Sequence, residues 1–142
     1  MPRSAAPRSS TRLVSRVMKN LLAVSGVLEV ATGLSLVLFP STIAALLLGS
    51  PLDAALGLTV ARVAGVALLA LGAACWFARL HGHTPVAKGI VEAMLLYNVG
   101  IVAVFGYSAV VSGVSGIGLW PVVVTHVAMT GWCLKCILGS RS

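Results

Sequence analysis

Four strongly polar side chains interrupt the long apolar stretches of this sequence, one in each stretch: Glu29, Arg62, Asn98 and His126. A carboxylate, a guanidinium, an amide and an imidazole can together form a buried ion pair, a ligand site or a path for protons. A charged group near the centre of a bilayer costs roughly 2.5 to 3.5 kcal/mol on insertion scales, so such groups face inward and pair. The available chemistry therefore depends on the helices that carry them.

The composition is typical of an integral membrane protein. The 142-residue chain is 58% hydrophobic and 9% charged, with mean hydropathy +1.04, whereas soluble domains are roughly half apolar and a quarter charged. About 20 apolar residues are needed to cross the hydrocarbon core. Four stretches have this length, which predicts an all-α protein, a compact antiparallel bundle of four transmembrane helices. The spans are predicted at about residues 19–39, 54–79, 86–110 and 119–138.

Prolines and glycines separate these spans. The first helix should end before Pro40, and the following segment 41–49 is too short to cross, which favours a turn or a short interfacial helix. Ser50-Pro51 and Thr84-Pro85 each place an N-cap hydroxyl before a proline, which predicts the starts of the second and third helices. The glycine-rich segment 112–118 predicts a turn.

Basic residues are distributed asymmetrically in this chain of net charge +7. Of ten Lys and Arg residues, nine lie before the first span, around the second loop or at the C-terminal end, and the first and third loops have none. The positive-inside rule then places both termini in the cytoplasm, which predicts a multi-pass protein of the cell membrane. The basic residues are topology signals that contact membrane lipids, so no nucleic-acid partner is expected.

Residues 1–17 are rich in Arg and Ser and contain no acid, which predicts a disordered basic cytoplasmic tail. The transmembrane domain is predicted over 18–138 and a short cytoplasmic tail over 139–142. A secretory signal peptide fits poorly, because the apolar run exceeds roughly 7 to 15 residues and contains Glu29. Met18 is an alternative start of the chain.

The four polar residues are predicted to lie at similar depths. At about 1.5 Å per residue, Glu29 lies roughly 15 Å from the cytoplasmic boundary, Asn98 roughly 18 Å, and Arg62 and His126 roughly 20 Å. Arg62 is the one basic residue left in the membrane interior. Glu29 is therefore expected to pair with Arg62, and Asn98 and His126 to complete the cluster.

Smaller polar side chains share the helix faces of this cluster, Ser25 and Thr32 with Glu29, and Thr130 with His126. Three interpretations stay open: a structural cluster that sets the helix register, the polar floor of a ligand pocket, and a relay for protons or electrons. The predicted cluster or ligand site consists of Glu29, Arg62, Asn98, His126 and Thr130.

The remaining motifs carry little chemistry. The segment WCLKC, residues 132–136, has the lettering of a thioredoxin-type site, but reactive cysteines of that type lie at helix N-termini and this segment ends a helix. His81 and His83 lack further ligands, so no metal site is predicted. No catalytic residue is found, and the chain is not expected to be an enzyme on its own.

The run ARVAGVALLALG, Ala61 to Gly72, with Arg79 after it, resembles the second helix of DoxX-like small membrane proteins, and the segment TGLSLVLFP, Thr32 to Pro40, is similar to the end of their first helix. The resemblance implies a four-helix bundle in a bacterial cytoplasmic membrane. The DoxX name is associated with a subunit of a quinone-linked oxidoreductase, but no catalytic motif carries over to this chain.

A polar cluster without a nucleophile, a cofactor motif or a soluble domain predicts an accessory subunit or a binder of a lipid or quinone-like molecule. No other cofactor is expected, and the partners are membrane lipids and either another membrane protein or a second copy of the chain. The alternative is a proton-coupled small-molecule transporter that uses Glu29, since small multidrug transporters also have four helices and a glutamate in the first. An Arg62 side chain that occupies Glu29 would argue against transport.

The charge asymmetry predicts a labelling pattern for single cysteines introduced at Ser41 and Thr84 after replacement of the three native cysteines. An impermeant maleimide applied outside intact cells should label Ser41→Cys and leave Thr84→Cys unlabelled until the membrane is opened. Labelling of Thr84→Cys from outside would show that the predicted orientation is wrong.

Overall fold

The computed structural model describes residues 8–81 and 84–140, with side chains from residue 13 onward. The helices are α1 (Arg8–Leu38), α2 (Pro40–Leu48), α3 (Ala55–Ala78), α4 (Pro85–Val111) and α5 (Leu119–Gly139), and a 3₁₀ turn covers Arg79–His81. All but α2 contain a segment that is long and apolar enough to cross a membrane. The protein is therefore an all-α, multi-pass membrane bundle of four spans, as the hydropathy predicts, and the described residues contain no strand.

Glycines set the packing of α1 against α3. A Cβ atom built on Gly33 would lie 2.7 Å from the carbonyl oxygen of Gly65, and one built on Gly72 would lie 2.9 Å from that of Gly26. The two backbones therefore touch, with no room for a side chain between them. Because Gly26 meets Gly72 and Gly33 meets Gly65, the helices are antiparallel and held in one register. Such close approach is the main source of helix association in lipid, where burial of apolar surface gives little.

The helices α4 and α5 form a second hairpin, and the two hairpins pack together mainly through one half of the bundle. This half is called the basic end here; it holds the start of α1, the connection between α3 and α4, and the end of α5. Its core combines apolar and sulfur-containing side chains from all four long helices, including Met18, Cys75, Met94 and Cys133. Farther along α4 no residue beyond Asn98 is buried, and a cavity lies between the hairpins.

The short helix α2 joins the hairpins at the end opposite the basic end. The Gly118 N–H group donates to the carbonyl oxygen of Leu46 at 2.8 Å. Gly116 lies so close to the backbone of Leu46 and Leu47 that no Cβ atom fits there. The α4–α5 connection is thus fastened to the segment that follows α1. Of the two forms predicted for segment 41–49, a turn or a short helix, the structure has the helix.

Two predicted boundaries are corrected. The helix α1 begins at Arg8, so residues 8–17 of the predicted disordered tail are helical, while residues 1–7 lie outside the described residues. The helix α3 begins at Ala55 rather than at Ser50-Pro51. The Ser41 hydroxyl donates to the carbonyl oxygen of Leu52 at 3.0 Å, and this bond holds the chain before α3 against α2 in a non-helical form.

The predicted start of α4 is confirmed. The Thr84 hydroxyl accepts a hydrogen bond from the Ala87 N–H group at 3.3 Å, and Pro85 occupies the first turn. A hydroxyl cap satisfies one of the N–H groups that a helix leaves free at its start, and proline there lacks the N–H group that would need a partner.

Replacing Gly33 with alanine should lower the free energy of unfolding by about 1 to 3 kcal/mol, because the new methyl group forces the α1 and α3 backbones apart. Gly100→Ala is the matched control, since a Cβ atom at Gly100 of α4 meets open space. The control should keep or slightly raise stability, because alanine favours helix over glycine. Circular dichroism during reversible unfolding in detergent measures both, and equal losses would contradict packing through glycine contacts.

Candidate functional site

A cavity of about 600 Å³ lies between the two hairpins, beyond the core of the basic end. This volume is within the range of small-molecule pockets, roughly 300 to 1,000 Å³. Its walls come from all four long helices and from Leu47 of α2. Most of the wall is apolar, and the larger side chains in it include Leu36, Leu68, Ile101, Phe105 and Met129.

Polar side chains gather at the end of the cavity nearest the core. This group, called the polar floor here, consists of Ser25, Glu29, Tyr97, Asn98 and His126. Ser25, Glu29 and Asn98 are 1%, 6% and 2% exposed. The cavity therefore has a polar floor deep in the bundle and apolar walls above it.

Tyr97 connects Glu29 with His126. Its hydroxyl group faces the carboxyl group of Glu29, and the two groups interact. Its ring meets the imidazole ring of His126 edge-on, with the ring centroids 5.8 Å apart and the planes inclined by 61°. Side chains from α1, α4 and α5 thus form a continuous row across the floor.

Asn98 and His126 each donate a hydrogen bond to a carbonyl oxygen of their own helix. The amide Nδ2 of Asn98 donates to the carbonyl oxygen of Met94 at 2.6 Å. The Nδ1 atom of His126 lies 2.8 Å from the carbonyl oxygen of Val122. Because a carbonyl oxygen only accepts, this hydrogen bond requires a proton on Nδ1, and Nε2 then acts as an acceptor when the ring is neutral.

Ser25 differs from the other floor residues because its buried hydroxyl group has no hydrogen-bond partner among the described residues. A buried polar group without a partner costs about 1 to 3 kcal/mol. Buried hydroxyl groups are normally satisfied by protein, water or ligand. Ser25 therefore adds to the floor a buried hydroxyl group whose hydrogen bond is not supplied by the described residues.

Arg62 lies apart from the polar floor. It is exposed on α3, it does not line the cavity, and among the described residues no ion pair links it to Glu29. Ala64, which lines the cavity, is about 160° away from Arg62 around the helix at about 100° per residue. The predicted Glu29–Arg62 pair is therefore not formed.

The glycine register explains this separation. Glu29 lies between Gly26 and Gly33, and these glycines meet Gly72 and Gly65. The carboxylate is therefore level with residues 65–72 of α3, whereas Arg62 lies beyond this segment toward the opposite end of the bundle. Depth counted along single helices placed the two residues too close together.

Thr130 is also outside the cavity. Its hydroxyl group donates to the carbonyl oxygen of His126, one turn earlier, at 2.8 Å. The structure thus brings together Glu29, Asn98 and His126 from the predicted set and leaves Arg62 and Thr130 aside.

Sequence reasoning missed Tyr97, although a signal was available. Tyr97, Ile101 and Phe105 are four residues apart and so share one face of α4, and all three line the cavity. Ser25 and Thr32, predicted on the face of Glu29, line the cavity as well.

The basic end holds the three cysteines, Cys75, Cys133 and Cys136, all free and buried. They belong to the packed core. Within the described residues, no group of three His, Cys, Asp or Glu side chains could hold a metal ion.

Comparison with protein-family models, curated proteins and solved structures finds no match to this chain. The resemblance to DoxX-like proteins stays a prediction. The roles of the cavity residues rest on their geometry.

Two double-mutant cycles should separate the contacts of Glu29. Glu29→Gln with Tyr97→Phe should show a coupling of about 0.5 to 3 kcal/mol, because the two side chains touch. Glu29→Gln with Arg62→Leu should be additive within about 0.5 kcal/mol, because the two residues share no partner. Unfolding in detergent supplies the free energies. Additivity in the first cycle and coupling in the second would contradict this geometry.

Proposed function

We propose that this protein is a membrane-embedded binding protein that holds an amphiphilic small molecule in the cavity between its hairpins. The observation that carries the proposal is the placement of a polar floor at the end of a largely apolar cavity. Such a cavity suits a molecule with one polar group and an apolar body. Lipid-like and quinone-like molecules are the classes suggested by the sequence.

A purely structural role for the polar floor has less support. The register of α1 and α3 is set by glycines rather than by polar contacts. Asn98 and His126 hydrogen-bond to their own helices and not to the opposite hairpin. Within the polar floor, the contact between Glu29 and Tyr97 is thus the one described polar link between the hairpins, and the cost of placing Asn98 and His126 inside a membrane argues for a functional role.

The protein is proposed to lie in the cell membrane. The charge distribution favours the cell membrane, with the basic end and both termini in the cytoplasm. The DoxX-like resemblance further suggests a bacterial cytoplasmic membrane and a role as an accessory subunit. The expected neighbours are membrane lipids and either a second membrane protein or another copy of this chain.

A second candidate function is proton-coupled transport through Glu29. Two observations favour it: Glu29 lines the cavity, and Arg62 forms no ion pair with it. A carboxyl group without a fixed cation can exchange a proton for a cationic substrate. Transport also needs a state in which the core at the basic end opens, which separates Met18 from Met94. Proton-driven uptake into proteoliposomes that disappears in Glu29→Gln would favour this second function.

Filling the cavity should displace its occupant. Ala67 lines the cavity, and Ala67→Phe should reduce the amount of co-purified small molecule about tenfold or more, which corresponds to about 1.4 kcal/mol. Ala73→Phe is the matched control: Ala73 is exposed and lies about 180° around α3 from the cavity residue Ala64. Mass spectrometry after gentle detergent purification measures the occupant. Equal retention by both folded variants would contradict binding in this cavity.

A further inference from the structure

The polar floor offers more hydrogen-bond acceptors than donors. One N–H group of Asn98 and the Nδ1–H group of His126 already donate hydrogen bonds to carbonyl oxygens of their own helices. The hydroxyl group of Tyr97 faces the carboxyl group of Glu29 and is directed to an acceptor that already belongs to the floor. Thr125, higher on the wall, donates to the carbonyl oxygen of Pro121 at 2.8 Å.

The groups left over mostly accept. The acceptors are the remaining lone pairs of the Glu29 carboxylate, the Oδ1 atom of Asn98 and, when the ring is neutral, the Nε2 atom of His126, whereas the second N–H group of Asn98 is the one amide donor left over. The hydroxyl groups of Ser25 and Thr32 can act either way. A ligand that carries only acceptors, such as a quinone, would leave most of this floor unsatisfied, whereas a ligand with several N–H groups would satisfy it.

The negative charge of Glu29 also favours a ligand that donates hydrogen bonds. No Lys or Arg is found among the described residues that line the cavity. Burying a carboxylate without a cation is strongly unfavourable, and a cationic ligand that also donates hydrogen bonds would offset part of that penalty. The aromatic ring of Tyr97, which also lines the cavity, can stabilise a cation at its face.

We propose that the occupant of the cavity is an apolar amine in its ammonium form. Its N–H groups face Glu29, Asn98 and His126, and its apolar body lies along the wall that includes Ile101 and Phe105. The inference rests on the proposed binding function, and it favours a hydrogen-bond donor over the quinone-like class suggested by the sequence.

Three probes with the same ten-carbon chain separate charge, donor capacity and acceptor capacity: decylamine, decanol and a decyl-substituted benzoquinone. Binding to the full chain is measured as thermal stabilisation in nanodiscs of zwitterionic lipid, because a ligand that binds the folded state raises its stability. Empty nanodiscs correct for partition into lipid. We expect decylamine to bind wild-type protein at least about tenfold more tightly than either neutral probe.

Glu29→Gln should abolish the preference for decylamine, and Glu92→Gln should keep it. Glu92 is the matched acid, since it is exposed near the basic end and does not line the cavity. Equal affinities for the three probes, or preference for the quinone, would overturn the amine inference and leave the binding function intact. Absence of binding by all three probes would overturn both. If Glu29→Gln does not fold, the wild-type comparison alone decides, because equal binding of amine and alcohol refutes the inference.

Discussion

The absence of a side chain at Gly33 lets the backbones of α1 and α3 touch in a single register. A Cβ atom on Gly33 would lie 2.7 Å from the carbonyl oxygen of Gly65. In lipid such backbone contact is a principal source of helix association. The register places Glu29 level with residues 65–72 of α3 and leaves Arg62 beyond them, on another face. The carboxylate consequently meets Tyr97 of the second hairpin rather than the guanidinium of its own hairpin.

The second hairpin needs to meet the first only at the basic end, where Met18, Met94 and Cys133 take part in a continuous core. Flexible and polarizable sulfur-containing side chains fill such irregular gaps well. Beyond this core the hairpins leave a cavity, and the polar floor lies at the boundary between the packed half and the open half. Because Asn98 and His126 satisfy donors within their own helices, the floor presents its acceptors to the cavity.

The number of spans, the polar content of each and their limits to within a few residues, except at the start of the first helix, follow from the sequence. Hydrophobic length and helical rise are local properties. The similar depth of Glu29, Asn98 and His126 follows as well, since depth along each helix can be counted at about 1.5 Å per residue. The position of Arg62 does not, because the angle at which a residue faces its neighbours depends on glycine contacts between helices. The start of α3 was likewise decided by a tertiary hydrogen bond, from Ser41 to Leu52.

The central claim is that Glu29 faces the cavity between the hairpins and forms no ion pair with Arg62. A hydrophobic carbodiimide, which reaches carboxyl groups from within the bilayer, tests this directly when modified peptides are counted by mass spectrometry. We predict that Glu29 is modified in wild-type protein, that Ala67→Phe slows the reaction several-fold by filling the cavity, and that Arg62→Leu leaves its rate unchanged. An unreactive Glu29 in wild type that becomes reactive only after Arg62→Leu would contradict the claim.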